Sequence, residues 1–260
     1  MLTHGIPRRS WIIGLCALLS SAAMAVQPLV IAAEDDWYPY SASNDGEAVG
    51  FAVDVVREAF LAAGQPVRFE VMPYARCMKL VKAGKQLGCF DTSKDASLSK
   101  DYLWHQRPLF RARIMIFGTP GKGTRPVSVQ DLNGKRVGLT NGYTYSDAID
   151  QNPQVNKDWS LHDIDSLRKL AAGRVDYALV FEQVAAWLLS QDETELRKRV
   201  VAQGEVKTME LFLSFSKTYP DAPHWVKVFE TGLQRIHQNG RYQQLEQQWF
   251  KSASVPPAGR

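Results

Sequence analysis

The sequence has little of what usually announces a chemistry. Three cysteines in 260 residues are too few for a disulfide-dense miniprotein. The five histidines are scattered and stand at no metal-ligand spacing from the cysteines, so no zinc signature is present. No apolar run approaches the roughly 20 residues that a membrane-spanning helix needs. The Lys122-Gly-Thr-Arg125 cluster lacks the Walker pattern and reads as a solvated loop, not a phosphate cradle. Nothing calls for a cofactor. Charge of one sign is also scarce, with 31 basic residues against 27 acidic and a net charge of +4. Arg8 and Arg9 lie in an N-terminal stretch without acidic residues, so half of that excess is local. What remains is not the concentrated basic face that a nucleic-acid partner requires.

What is present is an ordinary globular composition, 45% hydrophobic and 22% charged. It excludes a disordered or collagen-like chain, and the length suffices for two compact lobes. Arg8-Arg9, the apolar run from Trp11 to Leu19 and Ala23-Met24-Ala25 form a basic region, a short hydrophobic region and an A-x-A cleavage site. Residues 1–25 therefore read as a signal peptide, and the mature chain as exported to the periplasm. Cys16 has no lipobox context, so no lipid anchor is expected. Cys77 and Cys89 then remain in an oxidising compartment. Their even number suggests a disulfide, worth about 3 kcal/mol over so short a loop in the entropic account; the alternative is two buried thiols.

Strand and helix patterns alternate along the mature chain. Leu29 to Ala33 reads as a buried strand, and Ala52 to Ala63 as an amphipathic helix stopped by Gly64. Val67 to Val71 (strand), Tyr74 to Ala83 (helix) and Gly88 to Phe90 (strand) follow. The pattern restarts with strands at Ile114 to Phe117 and Arg136 to Leu139, then a helix from about Tyr145. Next come a helix at Ile164 to Ala172, a strand at Tyr177 to Val180 and a helix at Glu182 to Ser190. A strand at Glu210 to Phe215 and helices at Trp225 to Asn239 and Tyr242 to Trp249 complete the chain. Such alternation implies parallel βαβ units in an α/β fold.

Several segments in this order carry a family resemblance. They are Trp37-Tyr-Pro-Tyr40, Gly50-Phe-Ala-Val-Asp54, Asp131-Leu-Asn-Gly-Lys-Arg-Val-Gly138 and Asn141-Gly-Tyr-Thr144. Ala172-Gly-Arg-Val-Asp176 and Ile236-His-Gln-Asn-Gly-Arg-Tyr242, running on to Trp249-Phe250, complete the set. The chain resembles the family-3 periplasmic solute-binding proteins that feed polar amino-acid ABC importers. The resemblance implies a type II periplasmic binding protein, with two α/β lobes joined by two crossing hinge strands. Lobe one would hold residues 26–110 and 211–260, and lobe two residues 111–210. The hinges would lie near Arg111 to Gly118 and Lys207 to Leu213, and the ligand in the cleft at the strand ends.

Candidate ligand-binding residues follow from the physics of an aromatic-walled slot with a few polar groups. Trp37 and Tyr40 would stack on a solute or box a cation. Asn141, Tyr143 and Thr144, at a strand-to-helix joint, would offer amides and a hydroxyl to an anionic group. The family's usual arginine clamp for an α-carboxylate is missing near Leu98, and Phe181 replaces its usual ammonium-binding aspartate. Arg76 beside Tyr74, Asp91 with Ser93, and Glu182 are the candidates to carry the charge instead. Asp91 and Glu182 would suit an amine, a polyamine or a betaine-like solute. The resemblance implies an inner-membrane ABC permease as partner, for which a monomer suffices, and no catalysis. A sensory subunit or a cyclohexadienyl dehydratase-like enzyme on the same fold are the alternatives.

Overall fold

The computed structural model describes residue 1 and residues 26–250 except 95, 122–124 and 193. Residues 2–25 of the expected signal peptide and most of the Lys122–Arg125 loop lie outside the described residues. The chain opens with β1 (Leu29–Glu34), whose last four residues are buried. A small antiparallel sheet of β2 (Asp36–Trp37), β3 (Ser41–Asn44) and β4 (Glu47–Val49) follows. This sheet has no counterpart among the expected elements, because its strands are too short for an alternation signal. The Asp45-Gly46 turn marks it, both residues having the positive φ of a tight hairpin.

Helix α1 (Phe51–Ala62) buries Val55, Val56, Ala59 and Phe60 on one face. After β5 (Val67–Met72), α2 (Tyr74–Lys82) and β6 (Gly88–Ser93) complete the first βαβ series. A short α3 (Ala96–Ser99) and β7 (Tyr102–Trp104) lead into β8 (Phe110–Gly118). The second series has β9 (Arg136–Thr140), α4 (Asp147–Asp150), β10 (Asn156–Ser160), α5 (Asp163–Ala171), β11 (Tyr177–Phe181) and α6 (Glu182–Gln191). The chain returns through α7 (Leu196–Arg199), β12 (Val201–Ser216), α8 (Ala222–Gln238) and α9 (Arg241–Phe250).

The main sheet runs β10-β9-β11-β8-β12-β6-β1-β5, with β7 paired to β12. Parallel pairing holds on each side, β5-β1-β6 on one and β10-β9-β11 on the other. Between them β8 and β12 run antiparallel, paired from Val201–Gly118 to Leu211–Phe110. These two long strands join two α/β halves, as the sequence leads one to expect of the fold class.

Beyond the small sheet, the short α3, β7 and α7 are not expected from sequence, and β12, β10 and α4 depart from the sequence expectation for identifiable reasons. β12 begins at Val201, nine residues before the expected Glu210. Its first stretch is largely exposed and carries two register shifts, so it shows no apolar run. β10 gives no strand signal for the same reason, since Asn-Lys-Asp-Trp-Ser forms a mostly polar outer strand. The helix expected from Tyr145 is only the four residues of α4. Pro153 stands just beyond it, and a residue preceding proline avoids helical backbone.

Cys77 of α2 and Cys89 of β6 form a disulfide, with Cα atoms 5.9 Å apart and a sequence separation of 12. Both residues are fully buried. Replacing both with alanine is expected to lower the free energy of unfolding in urea by about 3 kcal/mol. An unchanged urea midpoint in the double variant would mean that the bridge does not restrain the unfolded chain.

Candidate functional site

The carboxyl ends of β1, β6, β9 and β11 converge between the two halves of the sheet and leave a cavity of about 260 Å³. Aromatic walls come from Trp37, Tyr74, Tyr102, Tyr143 and Phe181, and apolar surface from Met78, Leu98, Met209 and Leu211. The polar lining is Glu34, Asp91, Ser93 and Thr144. Among the described residues, none that lines the cavity is basic.

The two acids define the electrostatics. Asp91, near the end of β6, is 7% exposed, and neither of its carboxyl oxygens has a hydrogen-bond partner. Burial holds its pKa well above the usual carboxylate range. Glu34, the last residue of β1, is 6% exposed. Its pKa is also raised well above the ordinary value, first by burial and then by the negative charges of Asp91, Asp163, Asp35 and Asp36. Strands β1 and β6 are neighbours, with Ala32 opposite Cys89. Glu34 and Asp91 each stand two residues further along, at the strand ends, where both line the cavity and Asp91 has a positive φ of 64°.

Contacts between the halves close the cavity. Ser93 Oγ lies 3.3 Å from Thr144 Oγ1, and the Tyr143 hydroxyl donates to Glu34 Oε1 at 3.5 Å. His162 Nδ1 lies 2.6 Å from Asp36 Oδ2 at the surface. Trp37 meets Phe181 edge to face at 4.9 Å, and Tyr38 meets Trp187 at 4.6 Å. Trp37 is 3% exposed, and its indole Nε1 has no partner.

Of the residues singled out from sequence, Trp37, Tyr74, Asp91, Ser93, Tyr143 and Thr144 line this cavity. Tyr40, Arg76, Asn141 and Glu182 do not. Tyr40 is buried and stacks on Phe110 with ring centroids 4.6 Å apart, so it is part of the packing behind Trp37. Arg76 is exposed on α2. Asn141 is exposed, and its amide donates to the Ser160 carbonyl between β9 and β10. Glu182 turns away at the start of α6, where Arg113 of β8 binds it through both Nε and Nη2. That arginine removes Glu182 from the role of ammonium partner. Glu34 is the charged residue of the lining that sequence reasoning misses, along with the apolar or aromatic Met78, Tyr102, Met209 and Leu211. The signal for Glu34 is position: an acid directly after an apolar strand, where α/β sheets bind ligands.

Of the amides expected to hold an anion after β9, Asn141 N donates to Ser160 O at 2.9 Å and Tyr143 N to Thr140 O at 3.3 Å. Two amides just beyond Thr144 are also engaged. Asp150 Oδ2 accepts from the backbone N–H groups of Tyr145 and Ser146, both at 3.0 Å.

Two α/β halves joined by a pair of long antiparallel strands, with a cavity between them at the strand ends, define the periplasmic-binding-protein fold. The family model of bacterial extracellular solute-binding proteins, family 3, matches residues 29–252, and the chain belongs to that family. Among solved structures it resembles a histidine kinase sensor domain similar to periplasmic binding proteins. That match has a TM-score of 0.75 and 20% identity, covering 86% of this chain and 96% of that one. An ancestral arginine-binding protein bound to arginine gives a TM-score of 0.71 and 21% identity, covering 86% and 98%. The arginine-, lysine-, histidine-binding protein ArtJ from Geobacillus stearothermophilus gives 0.72 and 18%, covering 89% and 97%. At these identities the likeness speaks for the fold. No curated protein matches by sequence.

Proposed function

We propose that the chain is a periplasmic solute-binding protein without catalytic activity. It is exported by its N-terminal leader and works as a monomer. It captures a small polar solute, amino-acid-like or amine-containing, between two closing lobes and hands it to an inner-membrane ABC permease. Residues 26–110 and 211–260 form one lobe, residues 111–210 the other, and β8 and β12 carry the hinges.

The observation that supports this reading is the aromatic-walled cavity between the two halves, with two buried acids in its lining and a few contacts across it. Those contacts are weak devices, since an exposed ion pair such as His162–Asp36 is worth about 0–1 kcal/mol. Closure without a solute leaves the Glu34 and Asp91 carboxyls in the cavity without a cation, which favours opening. A bound solute supplies the missing partners and tips the equilibrium to the closed form.

The test is a thermal-shift screen of the mature chain after unfolding and refolding to strip bound solute. The library holds amino acids, amines, betaines and dicarboxylates. A true ligand at 1,000 times its Kd stabilises the folded state by about 4 kcal/mol. It should also reduce the radius of gyration in small-angle scattering. A library in which no solute raises Tm or compacts the protein would contradict the reading.

A further inference from the structure

Resting on that solute-binding reading, we propose that the ligand is a small organic cation carrying no carboxylate, an aliphatic amine or guanidine whose charged head lies between Asp91 and Glu34. Five observations lead there.

Both oxygens of Asp91 are buried in the cavity wall without a partner. A buried polar group left unpaired costs free energy, and a carboxylate costs more than a neutral group. Glu34 on the adjacent strand doubles the demand for positive charge, and its one cavity contact, from the Tyr143 hydroxyl, is a neutral donor.

The lining supplies no cation of its own. Leu98 occupies wall where the family's clamp would project, and Arg113 is engaged by Glu182 and Glu205. An α-amino acid would bring a carboxylate into a cavity that already holds two acids, with no guanidinium to meet it.

The backbone after β9 is partly spent. Asn141 N donates to Ser160 O and Tyr143 N to Thr140 O, and the Asp150 carboxylate, which takes the amides of Tyr145 and Ser146, places another negative charge just beyond that segment. The indole Nε1 of Trp37 is a single neutral donor, suited to a hydroxyl or carbonyl.

The walls favour a cation. Trp37, Tyr74, Tyr143 and Phe181 present aromatic surface to the cavity, and a ring face attracts an ammonium or guanidinium. Metal is a poorer occupant, because among the described residues no three His, Cys, Asp or Glu side chains are grouped to hold an ion.

Size sets the limit. A cavity of about 260 Å³ is equivalent to about nine waters at ~30 Å³ each. A solute of about ten non-hydrogen atoms or fewer fits, which excludes peptides and long polyamines.

The experiment compares cations that differ only by the carboxylate. Stripped mature protein is titrated calorimetrically with agmatine against arginine, and with cadaverine against lysine. In at least one pair the decarboxylated member is expected to bind about 100-fold more tightly, as expected for removing an unpaired buried charge. Asp91→Asn and Glu34→Gln should each weaken that binding by about 100-fold, the loss of two charge-assisted hydrogen bonds. The Tm of the ligand-free variants should hold or rise, because each isosteric amide removes a buried acid. A purely structural role for these acids would instead lower Tm.

Arginine or lysine binding as tightly as its decarboxylated partner overturns the proposal and leaves the solute-binding reading intact. Unchanged amine affinity in Asp91→Asn does the same. If neither agmatine nor cadaverine binds, the proposal falls. The broader screen then decides the parent reading, which survives if any neutral or anionic solute binds and fails if none does.

Discussion

Asp163→Asn is expected to gain stability relative to the wild type as the pH is raised from about 4 to about 7. The wild-type acid opposes folding more and more across that range, opposite to the usual behaviour of surface carboxylates. Asp163 opens α5 and is 6% exposed. Its Oδ1 accepts from the Thr140 hydroxyl at 2.5 Å. Burial raises its pKa to about 7, with Asp36 adding to the rise and Thr140 and His162 opposing it. The folded state therefore holds the proton more tightly than the unfolded chain. The stabilisation is complete below the unfolded carboxylate pKa and is lost as the pH climbs through the folded value.

A shift of about three pH units at ~1.4 kcal/mol each makes the Asp163 effect about 4 kcal/mol. Glu34, facing Asp91, Asp163, Asp35, Asp36 and Tyr143, acts in the same direction, as does Asp91. The exposed acids Asp101, Asp131 and Asp192 have lowered pKa values. They lose their contribution only at pH below the ordinary carboxylate value, outside this window. Urea unfolding at several pH values on the wild type and Asp163→Asn checks the expectation. The variant should gain about 4 kcal/mol on the wild type between pH 4 and 7. The buried His105 imidazole, whose pKa is pushed down to about 4 by burial, works in the opposite direction across this window. The deciding quantity is therefore the difference between the two proteins: parallel profiles would show that Asp163 does not titrate as its surroundings dictate.

Gly50→Ala is expected to cost at least about 3 kcal/mol, from strained backbone and steric overlap together. Gly50 has φ +139°, and a Cβ there would stand 2.2 Å from the Tyr40 carbonyl oxygen and 2.9 Å from the Ser41 nitrogen. Both are backbone atoms that cannot swing aside. The surrounding hydrogen bonds tie this point to the site: Phe51 N donates to Pro39 O at 2.8 Å and Ala52 N to Tyr40 O at 2.9 Å. Helix α1 thus anchors the loop that carries Trp37, and a side chain at Gly50 pushes that loop off its seat. Ligand affinity should fall together with Tm.

Gly64→Ala is the matched control. Gly64 also has a positive φ, +83°, but no atom lies within 4 Å of the place its new methyl group would take. Its cost should be about 1–2 kcal/mol, the left-handed backbone penalty alone, with ligand affinity retained. Equal losses in the two variants would mean that backbone strain, not the contact with the Trp37 loop, governs Gly50.

Much of the architecture is legible in the sequence because it is written in local periodicity. The apolar face of α1 and the buried run of β1 are patterns that the burial of Val55, Phe60 and Ile31 follows. The elements that escape such a reading are those whose partners lie far away. β10 is held by register with β9, and the first half of β12 by pairing with β8. Neither needs an apolar pattern of its own to form.

The site divides along the same line. Trp37, Asp91 and Tyr143 stand at strand exits, and strand exits of α/β sheets are where cavities open. Composition, segment order and the motifs of a solute-binding fold are therefore settled by the sequence itself. Which acids face the cavity is decided by tertiary structure alone. Glu34 and Glu182 both stand at the end of an apolar strand, and in sequence they look alike. The folded chain brings Glu34 and Asp91 to one cavity, whereas Arg113, 69 residues away along the chain, pairs with Glu182 outside it. Charge pairing acts across space within a few ångströms, and only the folded chain determines which charges come that close.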